Sequence, residues 1–264
     1  MNEFFLVRNI SRRFMHVWRR NLLVYRKIWL VNFLVPLLEP ILYLTAFGVG
    51  LSALIGEVPH NGVQIPYVVF IAPALLSITA MYNAFFENTY ASFVRMYYQK
   101  TFDAMMATPL SLEDIIAGEI VWGATKSVIA TAIMLFVVSM FGLVQYPHAL
   151  LILPLSFIGG LAFGTLGMVF TGIVPSIDMF NLPIFLIITP MFLFSGTFFP
   201  TDALPAWARI ISQALPLTHL VDLFRDLALG KVGLGQLWSV AYLAAFPCVL
   251  FPTALIVMRR RLIN

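Results

Sequence analysis

Six stretches of apolar sequence, at about residues 28–54, 67–93, 115–144, 150–173, 180–197 and 237–258, dominate this chain. A bilayer-crossing helix takes ~20 apolar residues, so all six are long enough, the fifth barely. They leave only short connecting segments, and no sizeable soluble domain fits between them. Composition agrees: 61% of the 264 residues are hydrophobic and 11% charged, where soluble domains run near ~45–50% and ~25%. The predicted fold class is therefore all-α integral membrane, with a single transmembrane domain of six helices over residues 1–264.

Charge sets the expected orientation. Sixteen Lys and Arg against twelve Asp and Glu give +4, and seven of the basic residues lie between Arg8 and Lys27. Arg95 and Lys100 follow the second stretch, and Arg259, Arg260 and Arg261 follow the sixth. Residues 55–66 and 145–148 contain no Lys or Arg. The positive-inside rule then places both termini in the cytoplasm. Arg209, Arg225 and Lys231, in the outer segment 198–236, weaken that bias without reversing it. A nucleic-acid partner is not expected, because the basic excess is a topology signal and not a polar face. No short apolar stretch with a cleavage site follows the basic start, so no signal peptide is expected. A single cysteine, Cys248, excludes an internal disulfide and any multi-cysteine metal site.

Three non-spanning segments are predicted to be helical. Over 8–26, at ~100° per residue, Ile10, Phe14, Val17, Trp18, Leu22 and Tyr25 share one face and Arg12, Arg13, Arg19 and Arg20 lie opposite. Such a helix belongs in the headgroup plane, as a topology anchor alone or also as a brace for a cytoplasmic partner. Between the second and third stretches, 101–107 reads as one short helix with Phe102, Met105 and Met106 on one side and Asp103 on the other. It is expected to show that apolar side to the cytoplasm, covered by the membrane surface or by a protein. Ser111 with Asp114 is a capping-box pattern that starts the third span. Before the sixth, 205–215 and 217–229 read as two short outer helices, with Pro205 at a first helical position and Gly230 after a helix end. Too short to cross, they are expected to dip back into the outer leaflet.

Motifs for chemistry are scarce. The run from Gly118 through Gly123 to Lys126 and Ser127 looks at first like a phosphate loop, but two residues separate the second glycine from the lysine, inside an apolar helix. There is no HExxH or Gly-x-Ser-x-Gly pattern, so metalloprotease and serine-hydrolase readings lapse. What stands out is charge at depth. At ~1.5 Å per residue, Glu39 lies about 18 Å past Lys27, Glu87 about 15 Å from Tyr97 and Lys126 about 20 Å past Glu113. A lone charge there costs at least ~2.5–3.5 kcal/mol, so Lys126 is expected to pair with Glu87 or Glu39. The leftover carboxylate would be protonated or bonded to Asn83, Tyr82 or Thr125. These charges read as a structural ion pair, a proton relay or a polar step in a substrate path. Gly160 and Gly164 have small-xxx-small spacing, and Pro183 and Pro190 are expected to kink the fifth span.

Collinear motifs carry a resemblance. They are Arg20-Asn-Leu-Leu-Val-Tyr-Arg-Lys27, Leu38-Glu-Pro40 with Phe47-Gly-Val-Gly-Leu51, Phe86-Glu-Asn-Thr-Tyr-Ala-Ser-Phe-Val-Arg-Met96, Gly118-Glu119 with Ala124-Thr-Lys126, Ile188-Thr-Pro-Met-Phe-Leu-Phe-Ser-Gly196, Phe199-Pro200 with Leu204-Pro205, and Leu215-Pro-Leu-Thr-His-Leu-Val-Asp222. Over nearly its whole length the chain resembles the membrane subunits of ABC-2 type exporters, most closely the nodulation-factor export permeases. The resemblance implies a permease of the bacterial inner membrane and a homodimer carrying two copies of a separate ATPase that binds the ATP and magnesium. It implies a coupling helix, with Lys100, Thr101, Phe102, Asp103, Met105 and Met106 as the contact, and the N-terminal helix as its brace. The outer helices would serve an outer gate, with Phe198, Phe199, Trp207 and Phe224 as candidates. The implied cargo is an amphiphile of the lipo-oligosaccharide or polysaccharide class, and the chain itself carries no cofactor or catalytic residue. Drug efflux on the same plan, a proton-coupled transporter and an intramembrane enzyme using Glu39 or Glu87 are the competing readings. A secondary transporter would normally show repeated halves, which are not found.

Overall fold

The computed structural model describes residues 10–60 and 62–263, with the backbone alone at residues 31, 32, 35, 36, 39, 40, 49, 53 and 234. Arg8 and the Glu39 side chain lie outside what is described. The chain begins with α1 (Phe14–Lys27). Next, α2 covers 29–55 as α-helical Trp29–Tyr43, π-helical Leu44–Leu51 and α-helical Ser52–Ile55 in succession. Residues 55–66, expected to be a plain loop, instead contain an antiparallel hairpin of β1 (Glu57–His60) and β2 (Val63–Pro66), with Val58 opposite Ile65.

Five helices among the described residues are long and apolar enough to cross a membrane: α3 (Tyr67–Tyr98), α5 (Leu112–Met140), α6 (His148–Ile173), α7 (Ile177–Phe194) and the last helix, α10 (Leu234–Leu262). Between α3 and α5 lies the short α4 (Thr101–Met106). Between α7 and α10 lie α8 (Ala206–Ala214) and α9 (Pro216–Ala228). The protein is thus an all-α integral membrane protein with one small hairpin. Pro205 precedes α8 and does not enter it, whereas Pro216 takes the first position of α9, where its missing N–H costs nothing.

Glycine positions bring α3, α5 and α6 together. A Cβ on Gly123 would lie 1.9 Å from Asn88 Nδ2, and one on Gly164 2.8 Å from the same atom. A Cβ on Gly160 would lie 2.7 Å from Ala124 Cα. Helix contact this close is how membrane helices gain dispersion energy when lipid offers no hydrophobic drive. Thr171 of α6 donates to the Asn88 carbonyl at 2.6 Å, where a π-turn in α3 has loosened the helical ladder. In α7 a π-turn, Ile184–Ile188, sits between Pro183 and Pro190, the two residues that cannot donate to the ladder.

Helix ends are closed by side chains. Ser111 and Asp114 form the capping box of α5, with Asp114 N–H donating to Ser111 Oγ at 3.0 Å. Arg261 of α10 donates to the carbonyls of Thr171 and Val174 at the end of α6, where carbonyls lack helical partners. Gly230 ends α9 at φ +71°, and Gln145 N–H donates to the Ala228 carbonyl at 2.8 Å. α1, α4, the end of α10 and the 174–176 turn thus gather at one end, the basic end. The hairpin, α8 and α9 gather at the other, the hairpin end.

Candidate functional site

Two carboxylates and two cations meet where α1, α3 and α5 converge. Lys126 Nζ donates to Glu87 Oε2 at 2.9 Å, and Arg95 Nη1 donates to Glu87 Oε1 at 2.7 Å. The Trp122 indole N–H adds a third bond to Glu87, at 2.9 Å to Oε1. On its other side Arg95 reaches Glu119 Oε2 through Nε at 2.9 Å and Nη2 at 2.5 Å. Glu119, fully buried, also accepts from Ser92 Oγ at 2.7 Å and Asn21 Nδ2 at 2.8 Å. The four charges sum to zero, and each buried carboxylate has at least three donors, the condition under which buried charge is tolerated.

Lys126 pairs with Glu87, one of its two expected partners, and the other acid of that expectation, Glu39, has its side chain outside the described residues. Arg95 supplies the second cation, because α3 continues as helix to Tyr98, past the expected end at 93, and its two π-turns bring Arg95 back beside Glu87. Of the neutral groups named for such an acid, Thr125 accepts from the Trp18 indole at 2.9 Å, and Asn83 donates to the Thr79 carbonyl at 3.0 Å. Glu119 and Trp122 were also not singled out. Their spacing, at three and seven residues along α5 to Lys126, places all three on one helix face and is a readable signal.

In front of this network lies a cavity of about 640 Å³ between α1, α3 and α5. Arg20, Tyr25 and Ile28 line it from α1, Tyr90 and Arg95 from α3, and Lys126 from α5. The Tyr25 ring meets Trp122 edge-on at 5.5 Å and lies 6.0 Å from Lys126 Nζ.

The amphipathic α1 is covered by protein along part of its apolar face. Val17 is buried against α5, and a Cβ on Gly118 would lie 2.6 Å from the Val17 Cβ. Arg12 and Arg19 are exposed. Arg13 Nη1 donates to the Pro109 carbonyl at 2.5 Å, and Ser11 N–H and Oγ donate to the Asp114 carboxylate at 2.7 and 3.0 Å. The N-terminal segment is thereby clasped to the loop that carries α4.

That loop corrects the expected exposure of Phe102. Phe102 is 0% exposed and packs in a cluster with Phe93, Ile115, Phe180 and Met258, while Met105 and Met106 are only half-buried at its edge. The turn is made at Lys100, whose φ of +53° is left-handed and swings α4 back under the bundle. Burying a phenyl ring stabilises by roughly 1.5–3 kcal/mol, enough to offset that strain. Asp103, Ala104, Ala107 and Lys100 form the exposed side, with Lys100 Nζ 3.8 Å from Asp103 Oδ2 and Thr101 half-buried beside them.

At the hairpin end the four gate candidates have different surroundings. Phe224 is buried in the core, Phe198 stacks between Phe47 and Phe192 at 5.6 and 5.1 Å, and Trp207 lies edge-on to Phe194 at 6.0 Å. Phe199 is exposed. Their separate surroundings follow from their elements: α9 turns Phe224 inward, and Trp207 sits on the outer face of α8. A buried cation, Arg225, organises this end instead. Its Nε donates to the Phe70 carbonyl at 3.1 Å and its Nη2 to the Gly196 carbonyl at 2.7 Å, while its guanidinium stacks 3.8 Å from the Phe70 ring.

Known proteins are similar to this sequence. The ABC-2 type transporter family matches residues 12–229, from α1 through α9. The chain is 39% identical over 248 residues to nodulation protein J of Rhizobium leguminosarum bv. viciae, which covers 94% of each chain. It is 35% identical over 246 residues to nodulation protein J of Rhizobium meliloti (strain 1021), covering 93% of this chain and 92% of that one. It is 26% identical over 213 residues to the inner membrane transport permease YadH of Escherichia coli (strain K12), covering 79% and 80%.

Proposed function

The chain belongs to the ABC-2 type transporter family, and on that premise we propose that it is the permease subunit of an ATP-driven exporter of a lipo-oligosaccharide or related sugar-bearing amphiphile. A membrane permease of this family works with an ATPase, and no phosphate loop occurs in this sequence. The ATP and magnesium would be bound by two copies of that separate subunit. With α2 as a sixth crossing beside the five long helices, both termini and the basic end lie in the cytoplasm. The support for this is the clustering of Arg12, Arg13, Arg19, Arg26, Lys27, Lys100 and Arg259–Arg261 at that end.

The observation that carries the reading is the clasp between the N-terminal segment and the α4 loop. Nucleotide-driven closure of a partner would press on α4. Arg13 on Pro109 and Ser11 on Asp114 would pass the push to α1 and α5. The Arg95 network, which joins α1, α3 and α5, would carry it into the spans. A rigid, fully paired cluster suits that duty, since each helix moves only with the others. The contact surface is the exposed Lys100, Asp103 and Ala104 side, with Phe102 as the anchor that fixes α4 from within.

Export also needs an enclosed path, and a two-fold pair of chains would supply one between α2, α3 and α7 of each copy. In support, α2 and α7 present large exposed apolar side chains, among them Leu38, Leu42, Phe185 and Leu186. Affinity purification of the chain from its native membrane tests the assignment. The expected result is a separate ATPase, retained with the chain, whose hydrolysis the chain alters. A chain that runs alone and leaves ATP hydrolysis unchanged would contradict it.

A further inference from the structure

Beneath α1 the charges do not balance once Arg20 is included. Arg20, Arg95 and Lys126 line the cavity with Glu87, and Glu119 lies directly behind it. Arg95 is spent on both carboxylates. Lys126, with three donors, is given one bond to Glu87. Arg20 donates to Asn21 Oδ1 at 2.8 Å and makes no ion pair within 4 Å among the described residues. Among the described residues, three cations against two carboxylates leave one positive charge at a half-buried position, and burial lowers the pKa of Arg20. A counter-anion there would relieve that desolvation.

The cavity also has an apolar rim. Val24 and Ile28 of α1 and Phe86 of α3 line it, and all three are exposed. On the same helix the exposed Arg19, Arg26 and Lys27 mark the level of lipid headgroups. A small soluble anion would satisfy the donors and leave this rim bare, whereas an amphiphile would cover both. Basic pockets between membrane helices on the cytoplasmic side are suited to phosphate-bearing lipid heads.

We infer that the cavity between α1, α3 and α5 binds the phosphate headgroup of an anionic lipid, held by Arg20 and Lys126 with its chains against Val24, Ile28 and Phe86. This goes beyond the export reading and does not rest on it, since a lipid seated there would regulate or stabilise the chain whatever it transports. The phosphate engages the guanidinium of Arg20 and the free donors of Lys126. It thereby ties α1 to α5 next to the Glu87–Arg95–Glu119 network.

Native mass spectrometry of the full chain in a neutral detergent reads this directly, with phosphatidylglycerol, phosphatidylcholine and soluble glycerol phosphate as probes. Phosphatidylglycerol should bind about tenfold more tightly than phosphatidylcholine, the effect of roughly one charge-assisted contact. Arg20→Gln should weaken phosphatidylglycerol about tenfold and leave phosphatidylcholine unchanged, and Arg20→Lys should restore most of the difference. Val24→Trp, which fills the rim and removes no charge, should also lower phosphatidylglycerol binding and gives an answer if Arg20→Gln misfolds. Glycerol phosphate should not displace the lipid; if it does at equal concentration, the site is one for free phosphate and the lipid assignment falls. Equal affinity for the two lipids, or phosphatidylglycerol binding unaltered in both variants, overturns the proposal.

Discussion

Arg95 and Arg225 are both buried cations, yet the protein holds them in opposite ways. Arg95 is met by two carboxylates, and with Lys126 they form a closed set of charges across α3 and α5. Arg225 relies on the carbonyls of Phe70 and Gly196 and the face of the Phe70 ring, with Asp222 at 3.5 Å as its only acid within 4 Å among the described residues. The first arrangement couples charge to charge, so deleting one member leaves another uncompensated. The second uses one side chain as a staple for backbone, so deletion leaves neutral groups short of a donor. Charge pairing between long helices belongs to the basic end, and fixing of short helices against the bundle belongs to the hairpin end.

The largest expected effect breaks the charged set. Arg95→Met strands Glu87 and Glu119 together and should cost about 3–5 kcal/mol, read as loss of the folded fraction in a detergent denaturation series. Adding Glu119→Gln should recover a good part of it, and no recovery would mean that the cost lies in packing and not in charge. Arg225→Met should cost less, about 2–3 kcal/mol for two buried carbonyls left under-donated. No single acid-to-amide change should rescue it; rescue by Asp222→Asn would erase the distinction between the two cations. Lys126→Met should cost about 1.5 kcal/mol, the value of one bond to a charged group, because Glu87 keeps Arg95 and the Trp122 indole. A loss as large as that of Arg95→Met would show that Lys126 carries the network. Smallest of all, Asp103→Lys on the exposed side of α4 should leave stability within about 0.5 kcal/mol and yet abolish coupling to an ATPase.

Sequence reasoning reached the frame of this molecule because its signals are physical and local. Long apolar stretches, the Ser111–Asp114 cap, the glycine at 230 and the need of Lys126 for an acid all follow from costs that no tertiary context removes. Arg95 escaped because it sits at the end of an apolar stretch, where a basic residue reads as a topology marker. Only the extra turns of α3 turn it back toward Glu87. Glu119 was hidden inside a run that looked like a failed phosphate loop. The two faces of α4 were legible, with Phe102, Met105 and Met106 opposite Asp103, but the direction of the apolar face was not, because the left-handed Lys100 that aims it depends on the surrounding packing. The hairpin at 57–66 was legible and passed over, since Asn61-Gly62 between Val58 and the alternating Val63 and Ile65 is a two-residue turn signal.

The central claim is that this permease converts ATP-driven pressure on α4 into movement of a lipo-oligosaccharide across the membrane. Its most direct test is uptake of a labelled lipo-oligosaccharide by inside-out vesicles containing the chain with its co-purified ATPase, compared between the native sequence and Asp103→Lys. The account predicts ATP-dependent uptake by the native sequence and none by Asp103→Lys, with equal amounts of folded protein in both. Uptake that proceeds without ATP, or that survives Asp103→Lys undiminished, would contradict it.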